Sequence, residues 1–274
     1  MHKDNSFFLY DMHCHLQDPR IRDQADLIIA RAGQAGVMGF VVCGTSEADW
    51  PHVAELARKY DCIIPAFGLH PWYTGTRSAQ WRQHLESYLA EFGAAAVGEA
   101  GLDHAPEFRH DQDQVPVLQQ QLELAAALAR PVVIHCRRAW NRMPALLHAL
   151  NPRPPAIVLH AFSGSPETVM ELNDLPVYFS FSGSITYQGN RRAEQTVPLI
   201  PQKRLLIETD APDMLPKPIR GTHAKDTPNL PEYLPHVFNR LAELRTETAE
   251  ELSQALADNS LKVVNNYRNI HGSL

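Results

Sequence analysis

Short apolar runs alternate with longer amphipathic segments along most of this chain, and this alternation constrains the fold more than any other feature. The apolar runs predict β-strands at Phe7–Met12, Met38–Cys43, Ile63–Phe67, Ala94–Val97, Pro131–Ile134, Ala156–Leu159, Val177–Phe181 and Arg204–Ile207. The segments between them predict helices, among them Asp23–Ala35, Glu47–Lys59, Trp81–Phe92, Asp113–Ala129 and Ala139–Leu150. Strands that alternate with helices of this length form βαβ units, which indicate a parallel sheet.

The number of predicted strands favours a closed barrel over an open sheet. Eight such strands are the parts of a TIM (β/α)₈ barrel, and 274 residues is close to the roughly 250 residues typical of that fold. The tail Pro231–Tyr267 predicts two or three more helices, and Leu215–Pro231 predicts a loop long enough to shape a substrate opening. No linker, repeat or change of composition divides the chain, so we expect one domain over residues 1–274.

Charge and cysteine content argue against several classes of protein. A net charge of −6 disfavours nonspecific tracking of nucleic acid, although bound cations can invert the local field of an acidic protein. The four cysteines form no C-x-x-C pair and no disulfide framework. The apolar run near the amino terminus is too short for a signal peptide, and no run of about 18 apolar residues follows it. We therefore expect a cytoplasmic, reduced protein without a membrane segment.

Polar residues follow most of the predicted strands directly. In a parallel barrel the carboxyl ends of all strands meet at one face, where such enzymes build their active sites. Residues far apart in the sequence should therefore converge on one cavity. The residues of this kind that can bind a metal ion are His13, His15, Glu99, His135, His160 and Asp210.

Each of these residues taken singly has an ordinary structural explanation. His13 and His15 lie two apart, so a strand directs both to one face and Cys14 to the other. Two imidazoles on one face can hold an ion, but surface or capping histidines show the same spacing. Glu99 and Asp210 are compatible with loop acids or helix caps. The set of four histidines and two acids at the strand ends of one barrel is what indicates a metal site.

The predicted site has the groups that hydrolysis requires. An ion with an open coordination position binds water, lowers its pKa toward about 7 and polarises the carbonyl or phosphoryl group under attack. Six ligands suffice for two ions if Glu99 bridges them, and Asp210 is the natural general base. We expect one or two divalent ions. Imidazole ligands favour zinc or manganese, while magnesium prefers oxygen ligands and water.

Four further residues are candidates for contacts with substrate. His70, followed by Pro71, lies at the cavity face and either contacts substrate or shapes a turn. Trp72 either stacks on a base or covers the rim of the barrel. Arg137 lies two residues after His135 and can pair with a phosphate, and Asp103 contacts substrate, orients a ligand histidine or caps a loop.

Six motifs occur in an order that resembles the TatD family of metal-dependent hydrolases, and the resemblance extends from residue 7 to about residue 268. The motifs are His13-x-His15, Gly68-x-His70-Pro71, Gly98-Glu99-x-Gly101-Leu102-Asp103, His135-x-Arg137, His160-x-Phe162-Ser163-Gly164 and Glu208-Thr209-Asp210-Ala211-Pro212. Asn259 also fits the C-terminal pattern of the family.

The resemblance implies an amidohydrolase-like barrel with a mononuclear or dinuclear metal centre. Members of the family act as deoxyribonucleases, typically 3′-to-5′ exonucleases, and some relatives cleave the ester of D-aminoacyl-tRNA. By the family pattern, the ligands of the first ion are His13, His15, Glu99 and Asp210, and those of the second are Glu99, His135 and His160.

This chain departs from the family pattern at two positions. The family often has Arg-Asn-x-Pro in the long late loop, whereas Pro228 precedes Asn229 here. His104 stands where a tyrosine often follows Gly-Leu-Asp. The missing arginine removes a potential phosphate contact, so this departure bears on nuclease activity and leaves the metal ligands unchanged.

Three functions are compatible with these residues. The favoured one is metal-dependent hydrolysis of phosphodiesters at the ends of single-stranded DNA. The second is hydrolysis of an ester or amide, as in a D-aminoacyl-tRNA deacylase, with the same water and ions. The third is a metal-bound binding module without turnover, which is disfavoured because a structural site should be closed by its ligands. None of the three requires a protein partner.

Overall fold

The computed structural model describes residues 7–220 and 226–265. Eight parallel strands follow one another around a single sheet in chain order, which confirms the predicted TIM (β/α)₈ barrel. They are β1 (Leu9–Cys14), β2 (Val37–Cys43), β3 (Ile63–Phe67), β4 (Ala96–Asp103), β5 (Val132–Arg137), β6 (Ile157–Leu159), β7 (Val177–Phe181) and β8 (Leu205–Ile207).

Helices connect the strands and form the outer layer. The α-helices in the described ranges are α1 (Ala25–Gln34), α2 (Trp50–Lys59), α3 (Trp81–Glu91), α4 (Asp111–Ala127), α5 (Met143–His148), α6 (Pro166–Glu171), α7 (Arg191–Thr196), α8 (Lys217–Arg220), α9 (Leu234–Glu243) and α10 (Ala249–Asn265). A short 3₁₀ helix, Pro71–Thr76, follows β3 at the carboxyl face. No helix of the described residues is long and apolar enough to cross a lipid bilayer.

The first and last strands meet at their carboxyl ends. The peptide N–H of Asp210 donates to the carbonyl of His13 at 2.9 Å, and that of His15 donates to the carbonyl of Ala211 at 2.7 Å. These bonds join the segments that carry three of the predicted ligands. Closure of the barrel therefore also assembles the site.

The core has an outer and an inner part. Trp50, Phe40 and Phe67 belong to the outer cluster between strands and helices. The inner cluster fills the barrel and includes Val263 and Val264 of α10. The side chain of Asn259, also on α10, donates to the carbonyls of Gln202 and Leu205 at 2.8 and 2.9 Å, where β8 begins. Helix α10 thus lies at the amino end of the barrel and leaves the opposite end open.

Strand β4 is longer than predicted. It covers Ala96–Asp103, whereas the apolar run predicted Ala94–Val97 followed by a turn of small residues. The extension depends on Gly101, which has a positive φ of 157° and lies so close to β5 that a Cβ atom there would be 1.9 Å from the carbonyl oxygen of His135. Close pairing with β5 keeps the chain extended, and Glu99 is therefore a strand residue.

Several other predicted boundaries were wrong by a few residues. Strands β1 and β5 end later than predicted, at Cys14 and Arg137, because backbone pairing continues past the apolar run into the polar motif. Helix α5 begins at Met143, four residues later than predicted. Pro144 lacks an N–H, so it is best tolerated in the first turn of a helix, and α5 begins one residue before it.

The remaining predicted helices and strands differ from the structure only at their ends, but α8 (Lys217–Arg220) lies inside the segment Leu215–Pro231 that was predicted as a loop. Helix α2 starts three residues later than predicted, with Pro51 in its first turn. The tail predicted as Pro231–Tyr267 contains α9 and α10, as expected. Residues 221–225 of the predicted late loop, and the end of the predicted tail beyond residue 265, lie outside the described residues.

Candidate metal centre

All six predicted metal ligands lie together at the carboxyl mouth of the barrel. Five strands and the loops that follow them supply these residues, and each side chain is buried or nearly so. Strand β1 and its end carry His13 and His15, β4 carries Glu99, β5 carries His135, and the segments after β6 and β8 carry His160 and Asp210.

Four of these residues form the first donor group: His13, His15, Glu99 and Asp210. The Nε2 atom of His13 lies 3.1 Å from Nε2 of His15, 3.3 Å from Oε2 of Glu99 and 3.5 Å from Oδ1 of Asp210. Nε2 of His15 lies 3.5 Å from each of the two carboxylates. Four donors placed tetrahedrally around an ion at about 2.0–2.1 Å are separated by about 3.4 Å. The spacing of the first donor group fits a divalent ion.

The second donor group consists of Glu99, His135 and His160. Oε1 of Glu99 lies 3.1 Å from Nδ1 of His135 and 2.9 Å from Nε2 of His160. The two ring nitrogens are 3.1 Å apart. Each carboxylate oxygen of Glu99 therefore faces a different donor group, which is the arrangement expected of a bridging ligand.

The charges around Glu99 and Asp210 also fit a bound cation. Both carboxylates are buried, and within the described ranges neither has a lysine or arginine nitrogen within 4.0 Å. Burial raises the pKa of each, but the surrounding histidines outweigh it and hold both pKa values below their usual range. Two buried ionised carboxylates need a compensating positive charge, which protonated histidines supply, or a metal ion when the histidines are neutral ligands.

Three of the histidines are oriented by a bond to their other ring nitrogen. Nδ1 of His15 lies 2.8 Å from the carbonyl of Cys43. Nδ1 of His160 lies 3.3 Å from Oε1 of Glu208. A partner that accepts a hydrogen bond fixes the proton on that nitrogen and leaves the other one as an acceptor for metal. These two histidines therefore present Nε2 to the site.

His135 is oriented by Asp103 in the same way. Its Nε2 lies 3.2 Å from Oδ2 of Asp103, so Nδ1 faces the second donor group. The carboxylate of Asp103 is itself held by the peptide N–H of Ala105, at 2.8 Å. Of the roles considered for Asp103, the structure shows the histidine-orienting contact and a bond that caps the loop.

His70 lies beside the second donor group, but it directs a protonated ring nitrogen to the site, whereas His15, His135 and His160 direct an unprotonated one. The peptide N–H of Trp72 donates to Nδ1 of His70 at 3.2 Å, so the proton of the neutral ring is on Nε2. That nitrogen lies 3.4 Å from Oε1 of Glu99. Burial lowers the pKa of His70 to about 4, which keeps the ring neutral near pH 7. His70 is therefore a hydrogen-bond donor at the edge of the site.

A cavity of about 860 Å³, which we call the mouth cavity, opens above the two donor groups. Five of the six predicted ligands line it, and His13 is buried beneath them. Arg137 lines the side at β5, where its guanidinium lies 3.7 Å from Asp103. At the opposite side, after β1 and β8, Arg20 forms ion pairs with Asp18 and Asp213 at 2.9 Å.

The two departures from the family pattern are at Pro228, which precedes the matching residue Asn229, and at His104. Asn229 is buried, and its side chain donates to the carbonyl of Thr209 at 2.8 Å, next to Asp210. Nε2 of His104 lies 2.9 Å from Asp111 at the start of α4. Neither contact involves a donor atom of the two groups.

Sequence reasoning missed two carboxylates that organise the site. Glu208 orients His160, and Asp11 binds the backbone that precedes Asp210. Both are fully buried acids within two residues of a predicted ligand, and Asp11 lies two residues before His13 on β1. The position of Asp11, a charged residue inside a predicted apolar strand, was the feature of the sequence that could have identified it.

A (β/α)₈ barrel with histidines and carboxylates at its carboxyl mouth is the architecture of metal-dependent hydrolases. Residues 10–265 match the family described as TatD related DNase. The chain belongs to this family.

Individual relatives cover nearly all of the chain. The 3′-5′ ssDNA/RNA exonuclease TatD of Citrobacter rodentium is 33% identical over 260 residues, which are 93% of this chain and 97% of that protein. The metal-dependent hydrolase YjjV of Escherichia coli K12 is 34% identical over 257 residues, with the same coverage.

Solved structures support the same fold. The crystal structure of YjjV has a TM-score of 0.86 at 33% identity and covers 94% of this chain and 98% of that chain. An amidohydrolase from Saccharomyces cerevisiae, 20% identical, has a TM-score of 0.74 over 94% of this chain and 99% of its own. The barrel is thus amidohydrolase-like, as predicted.

Proposed function

We propose that this protein is a divalent-metal-dependent 3′-to-5′ exonuclease that acts on single-stranded DNA. The observation that carries the proposal is the position of Glu99 between two donor groups at the floor of an open cavity. Two ions held in this way suit phosphodiester displacement, in which both the attacking and the leaving oxygen need stabilisation. Relatives that share the whole barrel are named as exonucleases of single-stranded DNA and RNA.

The proposed ligands follow from the two donor groups. His13, His15, Glu99 and Asp210 would hold one ion, and Glu99, His135 and His160 would hold the other. The ions are zinc, manganese or magnesium, and the four imidazoles favour the first two. When bound, such ions polarise the phosphoryl group under attack and lower the pKa of the attacking water.

The chain itself supplies a base and two phosphate contacts in this proposal. Asp210 is ionised and lines the mouth cavity, so it can accept a proton from the attacking water. His70 can donate its Nε2–H to a phosphate oxygen, because its other ring nitrogen is already an acceptor. Arg137 is 45% exposed at the cavity wall and can bind a phosphate through two N–H groups.

The proposal assigns the activity to the whole chain as one domain, with the substrate as its only required partner. The donor residues come from β1, β4, β5 and the segments after β6 and β8, so the site needs parts of the chain from His13 to Asp210. All four cysteines are free thiols, which is consistent with the cytoplasm as the proposed compartment.

The test is degradation of oligonucleotides labelled at the 3′ or the 5′ end. Purified protein is stripped of metal, reloaded with magnesium, manganese or zinc, and incubated with single-stranded DNA. We expect stepwise loss of nucleotides from the 3′ end. Asp210→Asn, which should be inactive, excludes a contaminating nuclease, and Asp26→Asn makes the same chemical change on an exposed residue of α1.

Two results would contradict the proposal. Cleavage that persists both in Asp210→Asn and in the double variant His13→Ala with His15→Ala would assign the activity to another protein. A wild-type protein that contains metal, yet cleaves no strand with any of the three ions, would exclude the nuclease and favour hydrolysis of an ester such as D-aminoacyl-tRNA.

A further inference from the structure

Trp72 is a large apolar side chain that remains exposed beside a buried polar site. It lies in the 3₁₀ helix Pro71–Thr76 directly after β3, lines the mouth cavity, and is 44% exposed. An exposed tryptophan next to an active-site cavity often marks a surface that contacts a ligand.

The indole ring is nevertheless held in one orientation. Its Nε1–H donates to Oδ2 of Asp103 at 2.7 Å. One face of the ring stacks on Phe108, with ring centroids 4.3 Å apart and an angle of 19° between the planes. Trp72 lines the mouth cavity and Phe108 does not, and the ring of His70 meets the indole at 84°, with centroids 4.9 Å apart. A ring that is fixed in orientation and still exposed can bind another ring at little entropic cost.

The same hydrogen bond places the indole close to the metal centre. Oδ2 of Asp103 contacts both Nε1 of Trp72 and Nε2 of His135, at 2.7 and 3.2 Å. The ring centroids of Trp72 and His135 are 6.5 Å apart. A planar group that stacks on Trp72 therefore lies beside the second donor group, within the span of one nucleotide.

We propose that Trp72 is the stacking platform for the base of the nucleotide whose phosphodiester is cleaved. This inference rests on the proposed function. It adds that the protein recognises the unpaired terminal base of the DNA strand. Every base has a π-face, so the platform tolerates any sequence. The terminal base of a duplex is held by pairing with the other strand and must leave that partner to stack on Trp72, so the platform favours single-stranded ends.

Substitution can separate two roles of Trp72, which are the stacking of its ring on a base and the hydrogen bond from its Nε1–H to Asp103. Trp72→Ala removes the ring and the N–H donor, whereas Trp72→Phe keeps an aromatic face and removes only the bond to Asp103. Tyr73→Ala is the matched control, because Tyr73 is an adjacent aromatic residue that also lines the cavity and is 39% exposed. Thermal unfolding of each variant verifies that it is folded.

The experiment measures the affinity of single-stranded oligonucleotides that differ only in the 3′-terminal nucleotide, which carries a base or an abasic analogue. All variants are made in an Asp210→Asn background, so that binding is measured without cleavage. We expect the terminal base to strengthen binding by roughly 5- to 150-fold, the range of one base–aromatic stack. The effect should disappear in Trp72→Ala and persist in Trp72→Phe and Tyr73→Ala.

The outcomes distinguish this inference from the proposed function. Equal affinity for the two oligonucleotides, or an effect of the base that survives in Trp72→Ala, would overturn the platform even if the wild-type protein is an exonuclease. Loss of the effect in Trp72→Phe as well as in Trp72→Ala would show that Trp72 acts only by positioning Asp103. The wild-type protein could cleave no DNA and still bind the oligonucleotide with a terminal base more tightly than the abasic one. If that difference depends on Trp72, the result would support the platform and exclude the exonuclease.

Discussion

Thr209 donates both its peptide N–H and its hydroxyl to the carboxylate of Asp11. The nitrogen lies 2.9 Å from Oδ1, and the hydroxyl contacts Oδ2. Burial raises the pKa of Asp11 to about 7, against the lowering effect of these two bonds. The contact joins β1 to the end of β8 and so fixes His13 relative to Asp210.

Asp11→Ala should weaken both the fold and the metal site. It leaves the N–H of Thr209 buried without a partner, which costs about 1–3 kcal/mol of the free energy of unfolding. Loss of a residue that positions ligands typically costs about 10–100-fold in metal affinity. Urea unfolding and metal titration measure the two effects. Asp23→Ala, on a fully exposed aspartate, is the control, and equal effects of both variants would contradict this role of Asp11.

Asp210→Asn should retain the fold and lose most of the activity. The amide keeps the size of the carboxylate but cannot accept a proton from water, so we expect kcat/KM to fall at least about 100-fold. Circular dichroism and a cleavage assay in the same buffer make the comparison. A rate within a fewfold of wild type would remove Asp210 from the mechanism.

The double substitution His13→Ala with His15→Ala should lower the amount of bound metal. These residues supply two of the four atoms of the first donor group. Elemental analysis should give less metal per chain, and added metal should raise the unfolding temperature less than in the wild type, because a ligand stabilises only the state that binds it. His148→Ala, on an exposed residue of α5, is the control. Unchanged metal content in the double variant would refute the assignment.

Glu208→Gln should weaken the second donor group without removing a ligand. Glu208 accepts from the peptide N–H of Ala161 at 2.6 Å and faces Nδ1 of His160 at 3.3 Å. A glutamine keeps the shape but removes the charge that makes the imidazole a stronger ligand. We expect about 10–100-fold weaker binding of one ion by competition with a chelator. Identical affinities would indicate that Glu208 serves the backbone alone.

His70 should make the metal-free protein less stable in acid. Its pKa is about 4 when folded and about 6.5 when unfolded, so the unfolded chain binds the proton first as the pH falls. The free energy of unfolding therefore drops between about pH 6.5 and pH 4, by up to about 3 kcal/mol. The variant His70→Gln should lack this part of the pH-dependent drop in the free energy of unfolding. Urea unfolding of both proteins at pH 7.5 and 4.5 measures it, and an equal loss of stability in both would contradict the prediction.

The sequence alone determined the architecture and the set of residues at the barrel mouth. Strands show as apolar runs because a barrel strand is buried on both faces, and helices show as amphipathic segments because one face meets the strands. In a parallel barrel the residue after each strand must lie at the carboxyl face, so His160 and Asp210 could be placed there without coordinates.

Only the tertiary structure decided how those residues work together. The length of β4 depends on the close approach of Gly101 to β5, a contact between strands that no local pattern encodes. The tautomers of His70 and His135 depend on their partners Trp72 and Asp103. The hydrogen bond between those two partners joins residues that are 31 positions apart in the sequence.

The contact that joins the residues farthest apart in the sequence shows why the sequence alone could not predict these pairs. Asp11 and Thr209 are 198 residues apart, and either one alone is an ordinary polar residue beside a strand. A hydrogen bond depends on distance and direction within a few tenths of an ångström, whereas the apolar pattern of a chain encodes only which face is buried. The sequence therefore determined which residues reach the mouth of the barrel, and the packed barrel decided which atoms meet there.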